Sequence, residues 1–184
     1  MSAPLGEAPG PNEAHWLTMS DGAEILLRRH GNPHGLRLVL SHGNGLAMNG
    51  YAPFWTRLTD RYDLILFDHR NHGMNPFHTV AGHTYARMVE DLETIWGALA
   101  THFGAAPTVG AFHSMSGLIA MMHAQRRTPE WAALIFFDCP WQPPPGHPLE
   151  AEQNAHMDQL SEQTARRRAT APHWRDVAQR MAQV

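Results

Sequence analysis

A chain of 184 residues, 43% of them hydrophobic, can bury a core and is short enough to be one domain. Its formal charge of -3 and pI near 6.5 supply no positive field, which speaks against nucleic acid or an anionic membrane as partner. The lone cysteine, Cys139, allows no internal disulfide. That fits a reducing compartment, and no run approaches the roughly 18 apolar residues of a membrane helix. The expectation is a cytoplasmic protein.

Residues 1–14, rich in Ala, Pro and Gly, lack the basic start and apolar run of a signal peptide and read as a flexible tail. Residues 15–19 and 23–29 then flank Asp21-Gly22, a dipeptide suited to a tight hairpin. Nearly continuous apolar runs at 36–40, 64–67, 108–112 and 133–137 predict buried parallel strands. Helical segments separate them: a short one at 54–58, one at 116–125, and the clearest between the second and third runs. There Tyr85, Met88, Val89, Leu92, Ile95, Trp96 and Leu99 recur at three- and four-residue steps, and Gly104 and Pro107 close the segment. The fold class is α/β, with a doubly wound core over 15–140.

Past Cys139 come five prolines between Pro140 and Pro148 and then polar helical sequence at 149–169 and 173–182, broken at Pro172. With no strand between them, these helices cannot extend the sheet and read as a cap segment, 141–184.

Three segments carry the candidate chemistry. The strand at 108–112 runs through His113-Ser114-Met115 directly into a helix, the strand-turn-helix setting of a nucleophile elbow. Ser114 would project its hydroxyl above the sheet, and the Met115 N–H would face a developing oxyanion, assisted by the helix dipole. Small residues are needed two positions either side of Ser114. Ser116 meets the need and Phe112 does not. The plainer reading is a serine that only caps the helix.

Ser41-His42-Gly43-Asn44-Gly45-Leu46 follows the first parallel strand, where glycines allow a sharp turn and free the Asn44 N–H as a second oxyanion donor. The third segment is Phe67-Asp68-His69-Arg70-Asn71-His72-Gly73.

In this order and at these gaps the three segments resemble the α/β-hydrolase superfamily, over about Leu17 to Pro140. The resemblance implies a serine hydrolase acting on a carboxylic ester or similar small acyl substrate. It also implies a structural role for Asp68 and Arg70, with Asn71 in the place of a usual Gly. Haloalkane and epoxide chemistry, which use Asp at the elbow in related enzymes, recede, whereas carbon–carbon bond hydrolases and cofactor-free haloperoxidases share the serine.

No cofactor is expected, because Gly43-x-Gly45 lacks the third glycine of a dinucleotide fingerprint and no Gly-Lys-Ser/Thr occurs. His69, His72, His78 and His83 share one loop. Without a cysteine or spaced carboxylate among them, they read as solvated histidines and the metal entry is none. Arg166, Arg167, Arg168 and Arg175 read as a solvated helix face. Trp55 and Trp141 fit an acyl pocket and core packing equally well.

A serine hydrolase of this fold also needs an acid and then a histidine, in that chain order. Asp138, at the end of the strand 133–137, is a candidate acid. In the family the base follows the last strand of the sheet. His147, His156 and His173 fall instead in the hinge and cap, so the C-terminal strands are read as absent. The chain is then truncated, completed by a second chain or by self-association, or a catalytically silent binding or assembly module derived from the fold.

Overall fold

The computed structural model describes residues 8–126, 131–139, 145–152, 154, 155, 158, 159 and 162. Six strands, β1 (Glu13–Thr18), β2 (Glu24–Gly31), β3 (Leu36–Ser41), β4 (Tyr62–Phe67), β5 (Thr108–His113) and β6 (Ala133–Phe137), form one sheet in the order β1-β2-β4-β3-β5-β6. The β1–β2 and β2–β4 pairs are antiparallel, and the others are parallel. Strand β1 begins inside the segment read from composition as a flexible tail, and Asn12 N–H already bonds Arg29 O at 2.8 Å. The hairpin forms at Asp21-Gly22 as expected, with Gly22 at φ +85°.

Helices cover both faces. The apolar residues of each strand alternate between two cores, as the two-residue period of a strand requires. Val39, Ile65, Phe67 and Phe112 face α2 (Tyr85–Phe103) and α3 (Met115–Arg126). Leu38, Leu40, Leu64, Leu66, Val109 and Ala111 face Met48, Ala52 and Trp55 on the opposite side. There the helix expected at 54–58 is a short α1 (Ala52–Trp55) between two 3-10 turns.

Helix α2 begins at an N-cap, Thr84, whose side chain accepts from Arg87 N–H. It buries Met88, Val89, Leu92, Ile95 and Leu99 as the periodicity predicts, leaves Tyr85 exposed, and runs on to Phe103 before Gly104 ends it at φ +79°.

Strand β6 departs from expectation. Its apolar run reads as a strand covered on both faces, yet Ile135, Phe136 and Phe137 are about 40% exposed. Among the described residues no strand or helix lies beyond it. The helix expected at 149–169 is represented by the described residues 150–152, 154, 155, 158, 159 and 162, all helical. The helix at 173–182, Trp141, His156, His173, Arg166, Arg167, Arg168 and Arg175 lie outside the described residues. No described helix is long and apolar enough to cross a membrane.

The misfit at Phe112 is accommodated by Gly110, two residues earlier on the same strand face. A Cβ placed on Gly110 would lie 2.5 Å from Phe112 Cε2 and 2.7 Å from Leu134 Cδ2, so the fully buried Phe112 ring lies back over a position that has no side chain. Gly110→Ala should therefore cost about 1–3 kcal/mol through overpacking. In urea denaturation the Gly110→Ala/Phe112→Ala double variant should lose less than the sum of the two single variants.

Candidate functional site

Ser114 sits between β5 and α3 with φ +51°, a left-handed conformation that costs an L-residue about 1–2 kcal/mol. The turn is held by Ser114 N–H on Phe137 O (2.8 Å), and by Gly117 N–H and Leu118 N–H on Ser114 O (3.0 and 3.2 Å). An N-capping serine has extended backbone and accepts through its side chain. Ser114 has neither feature: among the described residues no backbone N–H donates to its Oγ. Met115 opens α3, and the first N–H groups of a helix have no partner within it. Ser116 is small enough to be buried beside the turn, its hydroxyl bonding Ser41 O (3.1 Å) and His113 O (2.9 Å).

The loop after β3 closes onto this turn. Leu46 N–H donates to Gly43 O (3.2 Å), and Gly45 takes φ +72°. A Cβ on Gly43 would meet His113 Nδ1 at 2.7 Å and Ser114 Cβ at 3.2 Å, so glycine is what lets the two backbones come together. Asn44, at the tip between the two glycines, is exposed.

Two buried imidazoles fix this loop to the next. His69 N–H donates to His42 Nε2 (3.0 Å), which leaves His42 Nδ1–H to donate to Gly43 O (2.7 Å). In the same way Gly45 N–H donates to His72 Nε2 (3.3 Å), while His72 Nδ1 bonds Arg70 O (2.9 Å). Each ring must stay neutral to keep its acceptor. Burial pushes His42 down to about 4 and also lowers His72. His69 and His72 are thus buried struts rather than the solvated loop histidines of the sequence reading, and among the described residues no cluster of three ligating side chains could hold a metal ion.

The linkage has a definite sign. An unfolded histidine takes up a proton near pH 6.5, whereas folded His42 does so only near 4, so its share of stability is intact above 6.5 and is lost as pH falls toward 4. At about 1.4 kcal/mol per pH unit this is about 3 kcal/mol. Denaturation midpoints measured across this window should fall less steeply for His42→Gln than for wild type.

Asp68 and Arg70 hold the scaffold, as the resemblance implied. The Asp68 carboxylate accepts from Met48 N–H (2.6 Å), Met74 N–H (3.3 Å) and Arg28 Nη2 (3.1 Å). Asn71 replaces a glycine without loss, because it adopts φ +62°, which Asn tolerates. Its amide bonds Thr79 O (2.9 Å) and His78 N–H (2.8 Å). Trp55 belongs to the core, fully buried with Nε1–H on Met48 O (2.9 Å).

A contact absent from the sequence reading lies beside Ser114. The Tyr51 hydroxyl is 2.7 Å from His113 Nδ1 and accepts from Gly43 N–H (3.3 Å). Both side chains border an apolar groove of about 200 Å³ with Leu40, Met48, Ala111 and Phe137. His113 precedes Ser114 and was legible in the elbow motif. Tyr51, 62 residues earlier, carried no local signal.

Asp138 ends β6 at φ +47°, with its carboxylate 95% exposed and 4.0 Å from His113 Nε2. The described candidate base, His147, accepts from Leu149 N–H through Nδ1 (3.2 Å). Among the described residues no imidazole is hydrogen-bonded to the Ser114 hydroxyl.

The strand order, the two-sided helical cover and the strained turn at Ser114 define an α/β-hydrolase fold. Solved structures agree. An α/β hydrolase from Novosphingobium aromaticivorans is 21% identical, with a TM-score of 0.58 over 70% of this chain and 44% of its own. The thioesterase domain of the curacin biosynthetic pathway is 18% identical, with a TM-score of 0.63 over 93% of this chain and 66% of its own. An esterase from a Rhodococcus species is 23% identical, with a TM-score of 0.59 over 68% and 46%. At such identities the likeness is one of fold, and the chain spans about half to two thirds of the length of these proteins. The family model described as serine aminopeptidase, S33, matches residues 32–178, and the chain belongs to that family.

Proposed function

We propose that this chain carries the nucleophile and oxyanion hole of a serine hydrolase acting on a carboxylic ester or similar small acyl substrate. The observation that supports this best is the left-handed Ser114 at the strand–helix turn with Gly43 packed against it. Strain of this kind is kept where the surrounding structure enforces it, commonly at reactive sites. Ser114 Oγ attacks the acyl carbon while its proton passes to a base. The N–H groups of Met115 and Asn44 stabilise the oxyanion, the alcohol leaves, and water resolves the acyl-enzyme.

His113 is excluded as the base while its Nδ1 lone pair is occupied by the Tyr51 hydroxyl. The base and its acid therefore come from outside the described residues, His156 and His173 among them, or from a second chain. A different reading is favoured by the exposed apolar side chains of β6: a silent module whose open edge binds another chain or a second copy, since uncovered edges tend to associate.

Incubation with a fluorophosphonate probe, peptide mapping of the adduct and hydrolysis of short p-nitrophenyl esters separate the two. An adduct on Ser114 with ester turnover supports the hydrolase. A folded chain that forms no adduct and associates in light scattering supports the module.

A further inference from the structure

Resting on the reading of Ser114 as nucleophile, we infer that Tyr51 is a positioning residue that clamps the loop carrying Asn44 to the nucleophile turn through its hydroxyl. Gly43 N–H can only donate, so the Tyr51 oxygen accepts there at 3.3 Å. The phenol proton is then directed to His113 Nδ1 at 2.7 Å. Burial pushes the Tyr51 pKa up, which keeps this proton in place at neutral pH. One hydroxyl thus joins the residue before Asn44 to the residue before Ser114. These are the two backbone segments whose N–H groups must converge on a single oxyanion, and such convergence tolerates little displacement.

The clamp also assigns the His113 tautomer. With Nδ1 accepting, the ring proton is on Nε2, on the side facing Asp138 Oδ2 at 4.0 Å. His113 is thereby a donor toward the site and has no lone pair with which to compete for the Ser114 proton. The role belongs to Tyr51 because its hydroxyl alone touches both partners. The hydrogen bonds of His42 and His72 tie the same loop to the 68–72 segment instead.

The test joins a labelling rate to a readout independent of reactivity. Tyr51→Phe, which removes only the hydroxyl, should label with fluorophosphonate roughly tenfold more slowly, the loss of one well-placed hydrogen bond. His113→Asn keeps an acceptor near the Nδ1 position and should stay closer to wild type than His113→Leu. Tyr51→Phe/His113→Leu should be about as slow as the slower single variant, because both remove one contact.

Imidazole nitrogen-15 NMR, with the His113 signal identified by its loss in His113→Asn, should find the proton on Nε2 in wild type and a mixed tautomer in Tyr51→Phe. A His113 protonated on Nδ1 in wild type overturns the clamp even if Ser114 labels. Additive rate losses overturn the coupling. A wild-type chain that shows the Nε2–H tautomer but does not label overturns the nucleophile reading, and the positioning role with it.

Discussion

Ser114→Ala is expected to abolish fluorophosphonate labelling and lower ester turnover by at least about 10³-fold, while leaving the unfolding free energy nearly unchanged. Alanine keeps the left-handed strain at φ +51° and removes only the hydroxyl, which accepts no backbone hydrogen bond among the described residues. A capping serine would behave differently, since its loss costs about 1 kcal/mol of stability. Ser114→Gly sharpens the contrast. Glycine occupies positive φ without steric cost, so this variant should also lose labelling yet gain up to about 1 kcal/mol, reduced by the greater freedom of glycine in the unfolded chain. Paired labelling and urea titrations check both. Full labelling in Ser114→Ala would move the nucleophile elsewhere, and a destabilised Ser114→Gly would show that no strain was stored at the turn.

The largest loss of stability should follow Arg70→Met. Arg70 is buried and grips Asp91 with Nε and Nη2 at 2.7 and 2.6 Å, and Asp21 with Nη1 and Nη2 at 2.7 and 3.3 Å. It thereby joins the β1–β2 turn, the loop after β4 and helix α2. Its hydrogen bonds hold Asp21 at about 2. Burial pushes Asp91 up even with Arg70 in place.

Removing the guanidinium strands a buried carboxylate, at a cost of about 3–5 kcal/mol. With Asp91 raised further above its unfolded value, the deficit should be greatest at neutral pH. It should shrink as pH falls and the carboxyl takes up a proton. Arg70→Met/Asp91→Asn should recover part of the loss, because the second substitution removes the stranded charge. Chemical denaturation at pH 5 and pH 8 measures both, and equal deficits at the two pH values would contradict the account.

Much of the frame was legible before any coordinate. The strand runs at 36–40, 64–67, 108–112 and 133–137, the stripe on α2 and the Ser114 elbow are local patterns. A strand's alternation, a helix's three- and four-residue step and a glycine at a turn are written within a few residues of one another. Burial of the loop histidines was not legible. His69 and His72 look polar and loop-borne, and only the packing of the loop after β4 against that after β3 removes them from water. Phe112 likewise contradicts the elbow pattern until Gly110 is seen to make room for its ring.

The sequence by itself determined the order of strands and helices, the class of fold and the identity of the strained serine, because each depends on spacing along the chain. Tertiary structure decided that Gly43 meets Ser114 and that His42 and His72 stand neutral beneath the loop. It also decided that Arg70 binds two carboxylates from distant segments and that the Tyr51 hydroxyl lies between Gly43 and His113. These are meetings of residues far apart in the chain. Their energies arise from desolvation and hydrogen-bond geometry, which exist only once the sheet has brought the strand ends together.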